Sequence, residues 1–176
     1  MEQPAPVSPD SKEEEKLSLL HPELAKRARV HLAACRMAGL NVCVFEGLRT
    51  METQASYYAK GRDAAGNVVD PKKVVTKAKP GQSLHQYALA YDVAFDADAA
   101  KPGVQWTWAP PPAKWAQVGA LGKQCGLEWA GDWKSFPETP HFQMSLGLTW
   151  QGCLAIFRTG GLAAVWAEVD RRLAAA

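Results

Sequence analysis

Two short stretches of the sequence contain residue types that together can hold a metal ion. In the first, His85 precedes Asp92 by seven residues at the entrance to an apolar run, and in the second, Glu138 precedes His141 by three. Two imidazoles and a carboxylate suit a catalytic zinc ion, and a further carboxylate can act as a general base. Cobalt, manganese or iron would also accept these ligand types, and the spacing is less specific than HExxH. We predict a metal site of His85, Asp92 and His141, with Glu138 as the base.

The period of a β-strand limits how the first two residues can meet. Residues seven apart on one continuous strand point to opposite faces of the sheet. We therefore expect His85 to lie on a turn before the strand that carries Asp92. Asp92 should share a face with Ala88 and Ala90, whose small side chains leave room beside it. His141 would then come from a neighbouring strand.

The remaining segments predict helices and a few short strands. Capping residues and periodic apolar positions predict helices that start near residue 11 and at Pro22, helices over 51–60 and 113–125, and a C-terminal helix with an apolar stripe from Leu162 to Leu173. Apolar and β-branched runs predict strands at 40–45, 88–95, 127–129 and 141–144, while 62–82 and 96–112 have the composition of loops.

These elements predict the fold class α+β, with a small antiparallel sheet flanked by helices. Residues 1–10 contain three prolines and little to bury, so we expect a flexible leader. The remaining residues, 11–176, are enough for a single domain with its own core.

The composition argues against several classes of protein. The net charge of +2 gives no reason to expect a nucleic-acid partner, and no apolar run approaches the length needed to span a bilayer, so we expect no membrane insertion. The N-terminus lacks the apolar core of a signal peptide, which predicts synthesis in the cytoplasm. The four cysteines (Cys35, Cys43, Cys125 and Cys153) lack metal-site spacing and are expected to be buried free thiols. His21 and His31 are expected to be ordinary surface or hydrogen-bonded residues.

Further landmarks follow one another in order through most of the chain. They include Glu46-Gly47-Leu48-Arg49-Thr50, Gln54, Ser83-x-His85 with Asp92, Gly126-Leu127-Glu128-Trp129, and Glu138-x-Pro140-His141-Phe142-Gln143. With these landmarks the sequence resembles the zinc peptidases of the D-alanyl-D-alanine carboxypeptidase type. Within that group it is most similar to the L-alanyl-D-glutamate endopeptidases found as bacteriophage endolysins.

The resemblance implies a hedgehog/D,D-peptidase-like domain with one catalytic zinc ion. The zinc ligands of the family correspond to His85, Asp92 and His141, and its catalytic base corresponds to Glu138. Arg49 corresponds to an arginine that holds a substrate carboxylate or stabilises the tetrahedral intermediate, for which a planar guanidinium is suited. Ser83 corresponds to a motif serine near the site, and we assign it to substrate binding.

Two residues depart from the pattern of the family. Ala88 replaces the glycine of HxxGxAxD, and Ala130 replaces a glycine that often precedes Gly131. A glycine at the first position could be needed for a positive φ or only for its small size. We expect that only small size is needed.

The resemblance implies hydrolysis of an amide bond in the stem peptides of peptidoglycan, with the L-Ala–D-Glu bond as the expected target. A D,D-carboxypeptidase or dipeptidase acting on D-Ala-D-Ala is the first alternative, and a wall-binding module without catalysis is the second. We expect a monomer that acts on the cell wall after release from the cytoplasm, as an endolysin does.

Overall fold

The computed structural model describes residues 11–175, so the predicted leader at 1–10 lies outside the described residues. The described helices are α1 (Ser11–Ser18), α2 (Pro22–Met37), α3 (Met51–Ala59), α4 (Pro112–Gln124) and α5 (Trp150–Leu173). The strands are β1 (Val42–Glu46), β2 (Ala90–Asp96), β3 (Trp106–Thr107), β4 (Glu128–Trp129) and β5 (His141–Gln143). Short 3-10 turns cover Pro71–Lys73, Leu84–Tyr87 and Ala130–Asp132. The predicted helices and strands are present, and most of their ends lie within two residues of the prediction. Two differences are larger: α5 begins at Trp150, twelve residues before the predicted apolar stripe, and β3 lies in a segment that was predicted to be a loop.

The chain forms two compact units by the density of its backbone contacts. The sheet unit contains residues up to Gly47 together with Leu89–Met144, and the helical unit contains Leu48–Ala88 together with the residues from Ser145 onward. The prediction of a single domain over 11–176 remains a prediction.

In the sheet unit, the strands are antiparallel in the order β1-β2-β5-β4, and β3 pairs with the end of β2. Tyr91, Val93 and Phe95 are buried on one face of β2, and Ala90 and Ala94 are buried on the other, so its pattern does not alternate cleanly. The fully buried side chains of this core come from α1, α2, β1, β2, α4 and β5, and include Leu17, Leu24, Leu32, Val44, Tyr91, Val93, Val118 and Phe142.

A buried histidine ties three elements of the sheet unit together. His31 of α2 is fully buried, with Nδ1 2.7 Å from the hydroxyl of Tyr91 and Nε2 3.0 Å from the carbonyl of Val118. Because a carbonyl can only accept, Nε2 carries the proton and Nδ1 accepts from the tyrosine. Burial lowers the pKa of His31 to about 4. His31 is thus a hydrogen-bonded core residue, one of the two possibilities that the sequence left open.

In the helical unit, Thr50 caps α3 by accepting a hydrogen bond from the backbone N–H of Thr53, as predicted. Residues 62–82 form an irregular segment with one short 3-10 turn. The predicted stripe of α5 is only partly buried, since Val165 and Val169 are fully buried and its other members are half-buried.

Helix α5 bears on the expectation that no segment is long enough to cross a bilayer. In the described part of the chain it alone has the length and apolar composition for this, a criterion that core helices of soluble proteins also meet. Gly161 interrupts its helical geometry, with φ 67° and ψ −163°. The helix is therefore weak evidence against the expectation of no membrane insertion.

The cysteines are free thiols in this structure, as predicted. Cys35 and Cys153 are buried, whereas Cys43 and Cys125 are only half-buried. Burial raises the pKa of the Cys35 thiol to about 12, so it is inert as a nucleophile near neutral pH.

Candidate metal centre

Strand pairing in the sheet unit places Asp92 directly opposite His141. The two residues are partners in the antiparallel register of β2 and β5, which confirms that they come from neighbouring strands. Nδ1 of His141 lies 3.0 Å from Oδ1 of Asp92, and the two side chains are 7% and 18% exposed. A pair with so little exposure is suited to binding a small ion.

The other nitrogen of His141 is held by a second pair of residues. Nε2 of His141 lies 3.1 Å from Oε1 of Gln143, and Nε2 of Gln143 donates to Glu128 at 2.8 Å. The side-chain NH2 group of Gln143 donates to Glu128, so the amide oxygen of Gln143 faces the imidazole. Because this oxygen can only accept, Nε2 of His141 must carry a proton. This arrangement leaves Nδ1 as the nitrogen that can bind a metal, and such outer hydrogen bonds commonly fix the ring of a metal-binding histidine.

Sequence reasoning assigned no role to Gln143 or Glu128. A signal was present, because residues two apart on a strand share a face and Gln143 follows His141 by two. Glu128 is the partner of Gln143 in the register of β4 and β5. The contact between Gln143 and Glu128 could not be predicted without knowing that β4 pairs with β5.

The pKa of His141 reflects two opposing effects. Burial acts to lower it, but the hydrogen bond and charge of Asp92, the hydrogen bond to Gln143 and the charge of Glu138 together raise it above its ordinary value. The same negative environment that favours a proton on this imidazole also favours a metal cation.

His85 lies in the 3-10 turn Leu84–Tyr87 and therefore outside the strand that carries Asp92, as predicted. The side chain of Gln86 holds this turn by accepting from the backbone N–H of Gly81 at 2.8 Å and from that of Ser83 at 3.3 Å. The carbonyl of His85 accepts from the backbone N–H of Arg49 at 3.1 Å. The His85 side chain is almost fully buried.

Ala88 ends this turn in a left-handed conformation, with φ 57° and ψ 31°. The expectation that this position needs only a small residue is therefore wrong, since the chain here also requires a positive φ. An L-residue pays for this conformation because its Cβ approaches the carbonyl, a cost that glycine avoids. The left-handed residue ends the 3-10 turn that carries His85, so β2 starts at Ala90 rather than at residue 88.

One donor atom from each of His85, Asp92 and His141 lies within 4.8 Å of the other two. Atoms bound to one zinc ion at about 2.0–2.2 Å can be at most about 4.4 Å apart, so a small movement of side chains suffices to share an ion. Two imidazoles and a carboxylate are also the right donor types. The three residues predicted from the sequence thus fit a metal ion, and their role as ligands stays a prediction.

Glu138 lies on a short segment whose backbone is held at several points. Its N–H donates to the carbonyl of Ala130 at 3.1 Å, and its carbonyl accepts from the N–H of His141 at 3.2 Å. The carbonyl of Pro140 accepts from Val93 of β2 at 3.0 Å. Glu138 is only half-buried, and its charge contributes to the raised pKa of His141. A partly exposed carboxylate at this position can exchange protons with water.

Arg49, in the helical unit, is held in place by an amide and a ring. Its Nη1 donates to Oε1 of the fully buried Gln54 at 2.9 Å, and its guanidinium lies 5.1 Å from the ring centre of Tyr57. Gln54 in turn donates to the carbonyl of Ala78 at 2.7 Å. The structure thus fixes the orientation of Arg49, while its role stays a prediction.

Residues 76–144, which include His85, Asp92, Glu138 and His141, match the family described as D-alanyl-D-alanine carboxypeptidase. The chain is also 34% identical over 131 residues to the peptidoglycan L-alanyl-D-glutamate endopeptidase CwlK of Bacillus subtilis (strain 168). That alignment covers 71% of this chain and 73% of CwlK. The chain belongs to the D-alanyl-D-alanine carboxypeptidase family of peptidases.

Solved structures of similar peptidases agree with this membership. The L-Ala D-Glu endopeptidase ChiX of Serratia marcescens is 25% identical, with a TM-score of 0.52 over 86% of this chain and 91% of ChiX. The vancomycin resistance D,D-pentapeptidase VanY, solved in complex with Zn(II), is 20% identical, with a TM-score of 0.50 over 83% of each chain. The predicted family and the predicted α+β fold are both confirmed, and this chain is a peptidase.

Proposed function

We propose that this peptidase uses one zinc ion to hydrolyse the L-Ala–D-Glu bond in the stem peptides of peptidoglycan. The observation that carries the proposal is the meeting of His85, Asp92 and His141, with Glu138 on the segment that leads into His141. The proposed substrate is supported by the similarity to CwlK and ChiX, both of which are named L-Ala–D-Glu endopeptidases.

His85, Asp92 and His141 would hold the ion through one carboxylate oxygen and one nitrogen from each ring, which for His141 is Nδ1. A zinc ion held there would supply a Lewis acid, which would polarise the scissile carbonyl and lower the pKa of a water molecule. Gln143 keeps the proton on Nε2 of His141, so that the ring presents its free electron pair to the cation.

Glu138 acts as the proton carrier of the reaction. Its carboxylate takes a proton from the attacking water and delivers it to the leaving amide nitrogen. The C–N bond breaks, and the products are a free carboxyl group and a free amine. Arg49 binds a carboxylate of the substrate or the charge that develops on the carbonyl oxygen, and its fixed orientation lowers the cost of doing so. Ser83 contributes to substrate binding.

The test is digestion of purified peptidoglycan followed by mass spectrometry of the muropeptides. We expect a new N-terminal D-Glu in the products, loss of activity with a chelator, recovery with zinc, and no activity in His85→Ala. Hydrolysis that continues unchanged in the presence of a chelator would contradict the proposed mechanism.

A second candidate is a D,D-carboxypeptidase, which the description of the matching family and the likeness to VanY favour. The same digestion separates the two, because a D,D-carboxypeptidase releases free D-alanine and creates no N-terminal D-Glu. A wall-binding module without catalysis would bind peptidoglycan and release neither product. Wall lysis that is equal in wild type and Glu138→Gln would show that Glu138 is not the base.

We further propose that the protein is a monomer that reaches the cell wall only after release from the cytoplasm, as an endolysin does. Light scattering of the purified protein gives the mass of the particle in solution. Fractionation of producing cells, before and after permeabilisation of the membrane, shows whether lysis requires release.

A further inference from the structure

Three large aromatic side chains of the sheet unit touch one another while remaining open to solvent. Phe45, Trp106 and Trp108, which we name the aromatic cluster, are 39%, 40% and 48% exposed. The ring of Phe45 lies edge-on to both indoles, with centroids 5.3 Å from Trp106 and 5.0 Å from Trp108. Contiguous exposed rings of this kind commonly mark a binding surface, whereas single exposed apolar residues do not.

The aromatic cluster lies on the same face of the sheet as Asp92 and His141. Asp92 and Asp96 are four apart on β2 and therefore share a face. Asp92 pairs with His141, and Asp96 pairs with Trp106, so these partners point to that face as well. Phe45 lies between Val44 and Glu46, where the pairing of β1 with β2 shifts by one residue. Its ring contacts both indoles and therefore lies on this face too.

Two further contacts define the cluster. β1 and β3 lie along opposite edges of β2, and the rings of Phe45 and Trp106 meet over this strand, where Ala94 has only a methyl group on the same face. The ammonium group of Lys16 lies 5.2 Å from the ring centre of Trp106 and donates to the carbonyl of Val44 at 2.9 Å. The cluster is thus a fixed surface beside the proposed metal pair.

We propose that the aromatic cluster binds the muramyl sugar that carries the stem peptide. This inference rests on the proposed function. One face of a pyranose ring is lined with C–H groups and its rim carries hydroxyls, which matches an indole that is apolar on its face and polar at its N–H. Such a sugar would cover the rings while its hydroxyls stay in water.

The length of the substrate supports this occupant. In peptidoglycan the L-Ala residue is joined directly to the lactyl group of the sugar, so the ring lies about two residue lengths, or roughly 7 Å, from the L-Ala–D-Glu bond. Neighbouring strands are about 4.8 Å apart, so the backbone of Phe45 lies close to that of Asp92. Trp106 lies opposite Asp96, four residues or roughly 13 Å along β2 from Asp92, so the cluster extends over roughly 5–13 Å from Asp92. A bond between the two terminal D-Ala residues lies five residue lengths, or roughly 17 Å, from the sugar, which is beyond the reach of the cluster.

The experiment compares two soluble substrates, N-acetylmuramyl-L-Ala-D-Glu-Lys and N-lactyl-L-Ala-D-Glu-Lys, which both keep the lactyl group and differ only in the sugar. Wild type should have the higher kcat/KM on the sugar-bearing substrate. Trp106→Ala and Trp108→Ala should each reduce the ratio of the two kcat/KM values by about tenfold, mainly through KM, which is the size of one aromatic contact. Trp106→Phe keeps a ring and should retain most of the preference.

Met37→Ala removes another exposed apolar side chain of the sheet unit and should keep the wild-type ratio. A wild-type ratio of one, or tryptophan variants with an unchanged ratio, would overturn the inference and show that the cluster serves another partner, such as a second protein. In both cases the sugar-free peptide is still cut, so the proposed function stands. Failure to cut either substrate at the L-Ala–D-Glu bond would instead overturn the proposed function.

Discussion

The left-handed Ala88 gives a prediction that can be worked out from the structure. Ala88→Gly removes the penalty of the left-handed conformation, about 1–2 kcal/mol for an L-residue. It also loses a fully buried methyl group, worth about 0.8 kcal/mol, and adds roughly 0.5–1 kcal/mol of backbone entropy to the unfolded chain. These contributions nearly cancel, so the free energy of unfolding should change by less than about 1 kcal/mol.

Ala90→Gly is the matched control for this substitution. Ala90 is also fully buried, but it lies in β2, where its backbone is extended. It loses the same methyl group and gains the same flexibility without relief of strain, which predicts a loss of about 1.5 kcal/mol. The difference between the two variants, about 1–2 kcal/mol, isolates the strain at Ala88.

The assay is urea unfolding of both variants and wild type, followed by circular dichroism. A chelator should be present throughout, because a bound metal would add its own stabilisation. If the two glycine variants are destabilised equally, Ala88 bears no left-handed strain and the reasoning is refuted.

Three further predictions concern metal affinity, pH and packing. Gln143→Leu should weaken zinc binding by about 10–100-fold, because the ring of His141 loses its hydrogen bond to the amide. The affinity is measured in competition with a chromophoric chelator, and Gln151→Leu, at an exposed position of α5, should leave it unchanged. Equal affinities in wild type and Gln143→Leu would exclude this role. His31 has a pKa of about 4 in the folded protein and about 6.5 in the unfolded chain, so the unfolded chain binds more protons between these pH values. The free energy of unfolding should therefore fall by about 3 kcal/mol as the pH is lowered from 6.5 to 4. In urea titrations across this pH range, the free energy of unfolding of His31→Gln should depend less on pH than that of wild type. An identical pH dependence would contradict the conclusion that His31 is buried in its neutral form. Gly131→Ala would place a methyl carbon about 2.1 Å from the ring of Trp129, so it should lower the thermal midpoint by an amount equivalent to roughly 1–3 kcal/mol, and an unchanged midpoint would show that the ring can move freely.

The sequence predicted those parts of the site that follow from the period of a strand. His85 had to precede the strand of Asp92, because seven residues of strand would place the two side chains on opposite faces, and the structure has His85 in the preceding 3-10 turn. The start of α2 at Pro22, the cap at Thr50 and the strand of His141 were predicted for similarly local reasons.

Features that depend on contacts distant in sequence were not predicted. The chain from His141 through Gln143 to Glu128 requires the pairing of β5 with β4, which spans a loop that sequence periodicity does not describe. The conformation of Ala88 was misjudged because the identity of a small residue does not reveal the sign of its φ. The glycine that the family has at this position could have indicated a positive φ there.

The central claim is that His85, Asp92 and His141 bind one zinc ion. The most direct measurement is a crystal structure of the zinc-loaded protein with anomalous diffraction at the zinc edge. The account predicts one strong peak with Nδ1 of His141, one nitrogen of His85 and one oxygen of Asp92 at about 2.0–2.2 Å. A zinc ion bound elsewhere, or held without any one of these three side chains, would contradict it.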